Sequence, residues 1–460
     1  MPDTIVALAT PTGRSGIGVI RLSGGDAMSI TRSVVADSEL DLQPRHAYLR
    51  QLHTPETSEI IDEAIITFFK APHSFTGEDV VEISCHGSPV VLRQVIDICL
   101  RLDARMAEPG EFSLRALAHG RMDLAEAEAI RDLIDAQTTA SARQAVRQLR
   151  GEFSNELQPV KDELLDVIVV LESALEFVED DLPEMQSENV KGRLCEIVEK
   201  IGAIAATFQA GKLIREGLKV ALVGRPNVGK SSLFNALLGT DRAIVTEIAG
   251  TTRDQIHERF IVNNVPISLT DTAGLRETTD TVESIGVERS KRTMADADIV
   301  VMILDASENI TKEDLDILES ISDIEHLIAV NKIDKASAWQ IEKVVSAFNS
   351  AIRTPHSALL LVSAKTGEGL DELQKTIVEP FAPRDISDSG FLVTDARHHD
   401  LLLRAKGDTE ESLTRFEKNM SEEIVLIGLH NALRYLGQIT GETTTEDMLT
   451  RIFSTFCIGK

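Results

Sequence analysis

The chain has 460 residues and no apolar run long enough to cross a bilayer. Its longest, such as Val300 to Leu304 and Ala358 to Val362, fall far short of the roughly 20 residues required, so no segment is predicted to span a membrane. Basic residues are in deficit: 47 Lys and Arg stand against 74 Asp and Glu, a net charge of −27. Such a chain repels a phosphate backbone over most of its surface, which disfavours nonspecific nucleic-acid binding. A local basic patch, or an RNA presented by a partner, stays compatible with that charge. Cysteine is scarce as well. Cys85, Cys99, Cys195 and Cys457 are too widely spaced for a zinc site or a CxxC pair, and are expected to be reduced thiols. Met1-Pro2-Asp3 has neither the basic region nor the apolar stretch of a secretory signal, so the cytoplasm is the expected compartment. There is no internal repeat and no dinucleotide fingerprint, because Gly16-Ile17-Gly18 lacks the third glycine and the following helix.

With 43% apolar and 26% charged residues, the rest reads as a soluble globular chain of two to four domains. Residues 1–118 mix β-like runs (Thr4 to Ala9, Gly18 to Leu22, Ala64 to Phe69, Val80 to Ser84) with Gly and Pro turns, and predict an α+β domain. Over 119–215 the texture turns to helix formers, with Leu124, Ala127, Ile130, Leu133 and Ile134 at helical spacing; Pro183 is expected to interrupt the helices. Residues 216–380 alternate buried-strand runs with helices, predicting a parallel sheet covered on both faces. Residues 381–460 return to helix formers, in Leu401 to Ala405, Glu410 to Phe416 and Glu422 to Tyr435. The simplest architecture is a discontinuous helical domain with a Ras-like P-loop domain inserted into it, behind an N-terminal α+β domain.

The strand Lys219 to Val223 leads into Gly224-Arg225-Pro226-Asn227-Val228-Gly229-Lys230-Ser231-Ser232 and then a helical pattern, which is GxxxxGK[ST] in its strand, loop, helix context. Glycines let backbone N–H groups close on phosphates, Lys230 meets the outer phosphates, and Ser231 offers a hydroxyl to Mg²⁺. Forty-one residues after Lys230 comes Asp271-Thr272-Ala273-Gly274, where a carboxylate can hold Mg²⁺ through water and a glycine N–H can sense a γ-phosphate. Asn331-Lys332-Ile333-Asp334 and Ser363-Ala364-Lys365 each follow a predicted strand. Asp334 can accept two hydrogen bonds from guanine, whereas adenine would leave a carboxylate poorly paired, so the expected nucleotide is GTP. Between the first two motifs, Thr246-Glu247-Ile248-Ala249-Gly250-Thr251-Thr252 suits a switch loop that orders when Thr252 reaches Mg²⁺.

These motifs resemble the TRAFAC-class, TrmE-Era-EngA-like GTPases, and in particular the MnmE (TrmE) family of tRNA-modification GTPases. The resemblance covers essentially the whole chain. It rests also on Asp3 to Ala7, Gly13 to Gly18 with Arg21, Ser74-Phe75-Thr76-Gly77-Glu78-Asp79, Pro109-Gly110-Glu111-Phe112-Ser113, and the end Phe456-Cys457-Ile458-Gly459-Lys460. It implies GTP hydrolysis coupled to adding an aminomethyl or carboxymethylaminomethyl group at C5 of the wobble uridine of certain tRNAs. The implied partner is an MnmG/GidA-like protein that uses FAD and NADH, in a heterotetramer, with tRNA held weakly or through that partner.

Leu275 follows Gly274 where Ras-like proteins carry a water-positioning glutamine. The resemblance gives that role to Glu283, which on the sequence alone reads sooner as a solvated loop charge; Lys230 is the other catalytic group. It replaces an arginine finger with K⁺ held by Asn227, Thr246, Ile248 and Thr251. It makes the N-terminal domain homodimeric and similar to folate-binding domains, taking 5-formyltetrahydrofolate or a related one-carbon folate through Arg21, Glu82, Arg121 and Lys460. Position 121 carries arginine where the family is expected to carry lysine. Cys457, with apolar neighbours and no nearby base, reads as a packing residue, and Ile452, Phe453 and Phe456 look built to dock. The alternative is a ribosome-assembly or signalling GTPase switch, but Gly13-Arg14-Ser15-Gly16 lies between β-like runs rather than between the helices of a KH module, and no basic tail follows the GTPase motifs. A structural dimer with a vestigial GTPase would not need intact Lys230, Ser231, Asp271 and Asp334.

Overall fold

The computed structural model describes residues 3–176, 184–240, 257–262, 265–271, 297–322, 324–351, 359–381 and 390–459. The chain divides into two compact units, Met1–Asp135 with Ala145–Gly202 and Asp400–Lys460, and Ala136–Gln144 with Ala203–His399.

In the first unit, β1 (Ile5–Leu8), β2 (Ile17–Ser23), β3 (Ala47–His53), β4 (Ile60–Phe69), β5 (Val80–His86) and β6 (Arg105–Met106) form one sheet in the order β3-β4-β5-β2-β1-β6. Only the β1/β6 pair is parallel. Ile20, Leu22, Ile66 and Ile83 pack with Ile30 and Val34 of helix Ala27–Val35 and with Val95 and Ile98 of helix Pro89–Arg101. The sequence pattern does not reveal β3, because this edge strand buries only Leu52 and so shows no apolar alternation. The β2/β5 register sets Arg21 directly opposite Glu82.

Helices Leu124–Asp135, Glu152–Glu176, Glu422–Thr440 and Glu446–Phe453 complete this unit, with most of Glu184–Ala206 and Ala396–Glu417. Leu157, Val160, Leu164, Val167 and Leu171 recur at alternating steps of three and four and are buried, as are Val425, Leu429, Ala432, Leu436 and Ile439 on the helix packed alongside. Leu401 to Ala405 and Glu410 to Phe416 both belong to the helix Ala396–Glu417. Pro183 lies outside the described residues. The tail docks as expected: Phe453 and Phe456, with ring centroids 5.0 Å apart, pack on Leu124 and Ala127. Cys457 does not share that environment. Its carbonyl accepts from the Gly110 N–H at 3.3 Å and the residue is exposed, which corrects its reading as a packing residue.

The N-terminal motifs meet at Arg115, whose side chain has no exposed surface. Its Nη2 donates to Asp3 Oδ1 and to Glu111 Oε1, both at 2.9 Å, and its Nη1 donates to Glu78 Oε2 at 3.1 Å. Arg105 Nη2 donates to the same Glu111 oxygen at 2.6 Å.

The second unit holds β7 (Leu218–Val223), β8 (His257–Val262), β9 (Val265–Asp271), β10 (Ile299–Asp305), β11 (His326–Asn331) and β12 (Leu359–Leu361), in the order β12-β11-β10-β7-β9-β8. All pairs are parallel except β8/β9, so the sheet departs from the all-parallel expectation at one edge. The two-residue link between β8 and β9 is too short for a crossover and forces antiparallel pairing. Alternate residues feed two cores. Val220, Leu222, Val301 and Ile303 face Leu233, Leu237, Leu373 and Ile377, whereas Ala221, Val223, Val300 and Met302 face Ile321, Val344 and Phe348.

Burial works to raise the Glu111 carboxyl, but hydrogen bonds from Arg105, the Glu108 N–H and Arg115 outweigh it and hold the group below the ordinary carboxylate range. Asp3 is held low in the same way, with burial opposed by Arg105 and Arg115. The unfolded chain therefore takes up protons first as pH falls, and this stabilisation is complete above the unfolded carboxylate range of about 4 and lost below it. Denaturant midpoints should drop as pH falls from about 5 through the unfolded carboxylate range and below it. Arg115→Ala should cost about 3–5 kcal/mol at neutral pH and flatten that acid dependence, since it strands carboxylates without their cation. An unchanged acid profile in the variant would place the titrating groups elsewhere.

Candidate nucleotide-binding site

β7 ends at Val223 and helix Lys230–Thr240 begins seven residues later. The intervening loop needs glycine at two points: Gly224 has φ 149° and Gly229 φ 100°, and a Cβ there would press on the Ile303 carbonyl or the Asn331 amide. Asn227, at φ 66°, takes the left-handed conformation that asparagine tolerates better than most residues. Lys230 is buried, and its Nζ donates to the Gly224 carbonyl at 2.8 Å and the Arg225 carbonyl at 2.7 Å. A phosphate fits this cradle, because a cation and a helix N-terminus meet where no Cβ intrudes.

β11 ends on Asn331, which is also buried. Its Nδ2 donates to the Val228 carbonyl and its Oδ1 accepts from the Ala364 N–H, each at 3.0 Å. Lys332, at φ 64°, reaches back to donate to the Asn227 carbonyl at 2.6 Å and to Asp305 Oδ2 at 2.5 Å. Burial tends to raise the Asp305 carboxyl, yet Lys332 and Ser307 as donors lower it overall. Ser363 Oγ donates to Asp334 Oδ1 at 2.7 Å, which presents that exposed carboxylate beside the loop of Ala364 and Lys365. Three of the sequence motifs thus converge at the C-terminal ends of β7, β11 and β12, where open α/β sheets bind ligands.

Ser231 and Ser232 are exposed on the first turn of helix Lys230–Thr240. Asp271 closes β9, opposite Leu222 of β7. Thr272 to Gly274, the loop Thr246 to Thr252 and Glu283 lie outside the described residues. The sequence reading missed Asp305, whose signal is an acid closing a strand buried at every position. It also missed the grip of Arg225 on Asp314.

In the other unit, Arg21 Nη2 donates to Glu82 Oε1 at 2.7 Å and Nη1 donates to the Gly459 carbonyl at 3.2 Å. The guanidinium carbon lies 5.5 Å from the Phe75 ring centroid and 5.7 Å from that of Phe112. Arg121 Nε donates at 3.2 Å to the carbonyl of Ser74, the neighbour of Phe75. Lys460 lies outside the described residues, but Gly459 brings the chain to Arg21. Arg21, Glu82 and Arg121 are thus gathered around Phe75, with Phe112 fully buried beneath the Arg21 guanidinium. Among the described residues no helix is long and apolar enough to cross a membrane, and no cluster of three or more His, Cys, Asp or Glu could hold a metal ion.

Two family models match the chain, the GTP-binding protein TrmE N-terminus over residues 4–121 and the MnmE helical domain over residues 124–457. A tRNA modification GTPase MnmE from Aquifex aeolicus is 43% identical over 461 residues, covering all of both chains. One from Koribacter versatilis is 42% identical over 464 residues, again covering all of both. A solved structure of Aquifex aeolicus Era is 29% identical over 42% of this chain and 66% of its own, with a TM-score of 0.30, an overlap too partial to define the fold. The end-to-end identity and the two successive models place the chain in the MnmE (TrmE) family of tRNA modification GTPases.

Proposed function

We propose that this protein hydrolyses GTP and couples the hydrolysis to modification of the wobble uridine of certain tRNAs at C5, adding an aminomethyl or carboxymethylaminomethyl group. The convergence of Gly224–Ser231, Asn331–Asp334 and Ser363–Lys365 on one sheet edge carries the nucleotide part of the reading. Family membership carries the tRNA part. Lys230 stabilises charge on the outer phosphates, Ser231 and Thr252 bind Mg²⁺ with Asp271 acting through water, and Glu283 orients the attacking water. Asn227, Thr246, Ile248 and Thr251 would hold K⁺, which would supply positive charge beside the phosphates. In the organisation that goes with this reading, residues 1–118 are a dimerising, folate-binding domain, 119–215 and 381–460 form the helical domain, and 216–380 form the GTPase domain.

Arg21, Glu82, Arg121 and Lys460 hold a one-carbon folate, and the redox steps belong to an MnmG/GidA-like partner carrying FAD and NADH. A net charge of −27 favours tRNA contact through a small basic region or through that partner, in the cytoplasm.

Mass analysis of tRNA nucleosides from cells lacking this chain tests the reading directly: C5-modified wobble uridines should disappear, and their persistence would refute it. GTP turnover by the purified protein should be much faster in KCl than in NaCl at equal ionic strength, while equal rates would remove K⁺ from the mechanism. Asp334→Asn should move preference from GTP toward xanthosine triphosphate, because the amide can donate to the xanthine 2-oxo group where the carboxylate accepted from guanine.

A further inference from the structure

Arg225, the second residue of the phosphate loop, faces two ways. Its carbonyl accepts from Lys230 Nζ at 2.7 Å, inside the loop. Its guanidinium, only 15% exposed, reaches outward: Nε donates to Asp314 Oδ1 at 2.7 Å and Nη2 to Glu308 Oε2 at 3.3 Å. The two acids are not equivalent. Glu308 is 58% exposed, whereas the Asp314 side chain is 1% exposed and is built into the start of helix Lys312–Ser320. Its Oδ2 accepts from the Thr311 N–H and the Thr311 hydroxyl, both at 2.9 Å, so a reciprocal cap holds the carboxylate in place before Arg225 meets it.

We propose that Arg225 is a positioning residue for the nucleotide, clasping the phosphate loop to the rigid cap at Asp314. This rests on the nucleotide-binding reading above. When Lys230 turns to a phosphate it gives up the Gly224 and Arg225 carbonyls, and the loop loses its internal tie. The clasp acts from outside the loop and survives that exchange. Pro226 limits the backbone of Arg225 as well, so the side-chain anchor and the ring together keep the loop near its binding shape. The guanidinium, held between Asp314 and Glu308, serves the loop rather than the transferring phosphate.

The test is a double-mutant cycle in the full-length chain, with Arg225→Met, Asp314→Asn and the pair, read as fluorescent GDP affinity and dissociation rate with Mg²⁺ present. Each single variant should weaken GDP on the order of tenfold, mostly through faster dissociation, and the pair should be no worse than the weaker single. Arg225→Lys should recover part of the loss, and Glu308→Gln should change affinity by less than about threefold because its carboxylate is exposed. For Arg225→Met the KM for GTP should rise far more than kcat falls. Single effects that multiply in the pair, or an Arg225→Met variant with unchanged affinity and a collapsed kcat, would overturn the clasp, the latter in favour of direct contact with the reacting phosphate. Matching thermal unfolding of the variants separates loop positioning from loss of fold. Failure of the unmodified protein to bind GDP would refute the nucleotide-binding reading and not the clasp alone.

Discussion

The side-chain amide of Asn331 joins loops that the chain would otherwise leave independent. It donates to the phosphate loop at Val228 and accepts from the base-side loop at Ala364, while its own backbone closes β11. Both partners are main-chain groups, so the tie does not depend on which residues flank them. Because Asn331 is buried, a replacement that cannot both donate and accept would leave one of those groups without a bond, at about 1–3 kcal/mol. Lys332 adds a second tie, to Asn227 and Asp305. Neighbouring residues on one strand end thereby tie the phosphate loop to the loop at Ala364.

The N-terminal motifs are held by charge in place of a single amide. Arg115 is buried among Asp3, Glu78 and Glu111, and removing water from one cation is offset by several carboxylates and by Arg105 on the far side of Glu111. These residues come from the start of the chain, the Thr76-Gly77-Glu78-Asp79 segment and the Pro109-Gly110-Glu111 segment, which explains why the short motifs occur as a set. Arg21 belongs to a separate layer. It pairs with Glu82 across the sheet, lies over Phe75 and Phe112, and takes the carbonyl of Gly459. Gly459, at φ 93°, packs so closely on Leu8 that any Cβ there would collide with its carbonyl. The tail and the N-terminal sheet thus complete one another.

Much of this was legible in advance, for reasons of range. The strands of the nucleotide-binding unit read as continuous apolar runs because helices cover both faces, and the phosphate loop is local in sequence, so its glycines and lysine announce themselves. The long helices read correctly because their buried residues recur at three and four. What failed to show were the edge strand β3, which has little buried surface, and β8, whose antiparallel pairing is imposed by a short link. The exposure of Cys457 was misread because its apolar neighbours suggested a packed site, while in the folded chain its backbone is what meets Gly110.

Sequence alone was enough for the classes of domain, the order of the motifs, a lysine at a helix start and an aspartate just past β11. Each depends on backbone preference or on spacing within a few residues. Tertiary structure decided the pairings: Arg21 with Glu82 across 61 positions, Asn331 with Val228 across 103, and Arg225 with Asp314 across 89. Such contacts follow from strand register and from which strand ends share a sheet edge, and no local pattern encodes either. A charge of −27 says that acids are plentiful. Only the fold shows which of them are buried against a cation and so do structural work, and which remain in water.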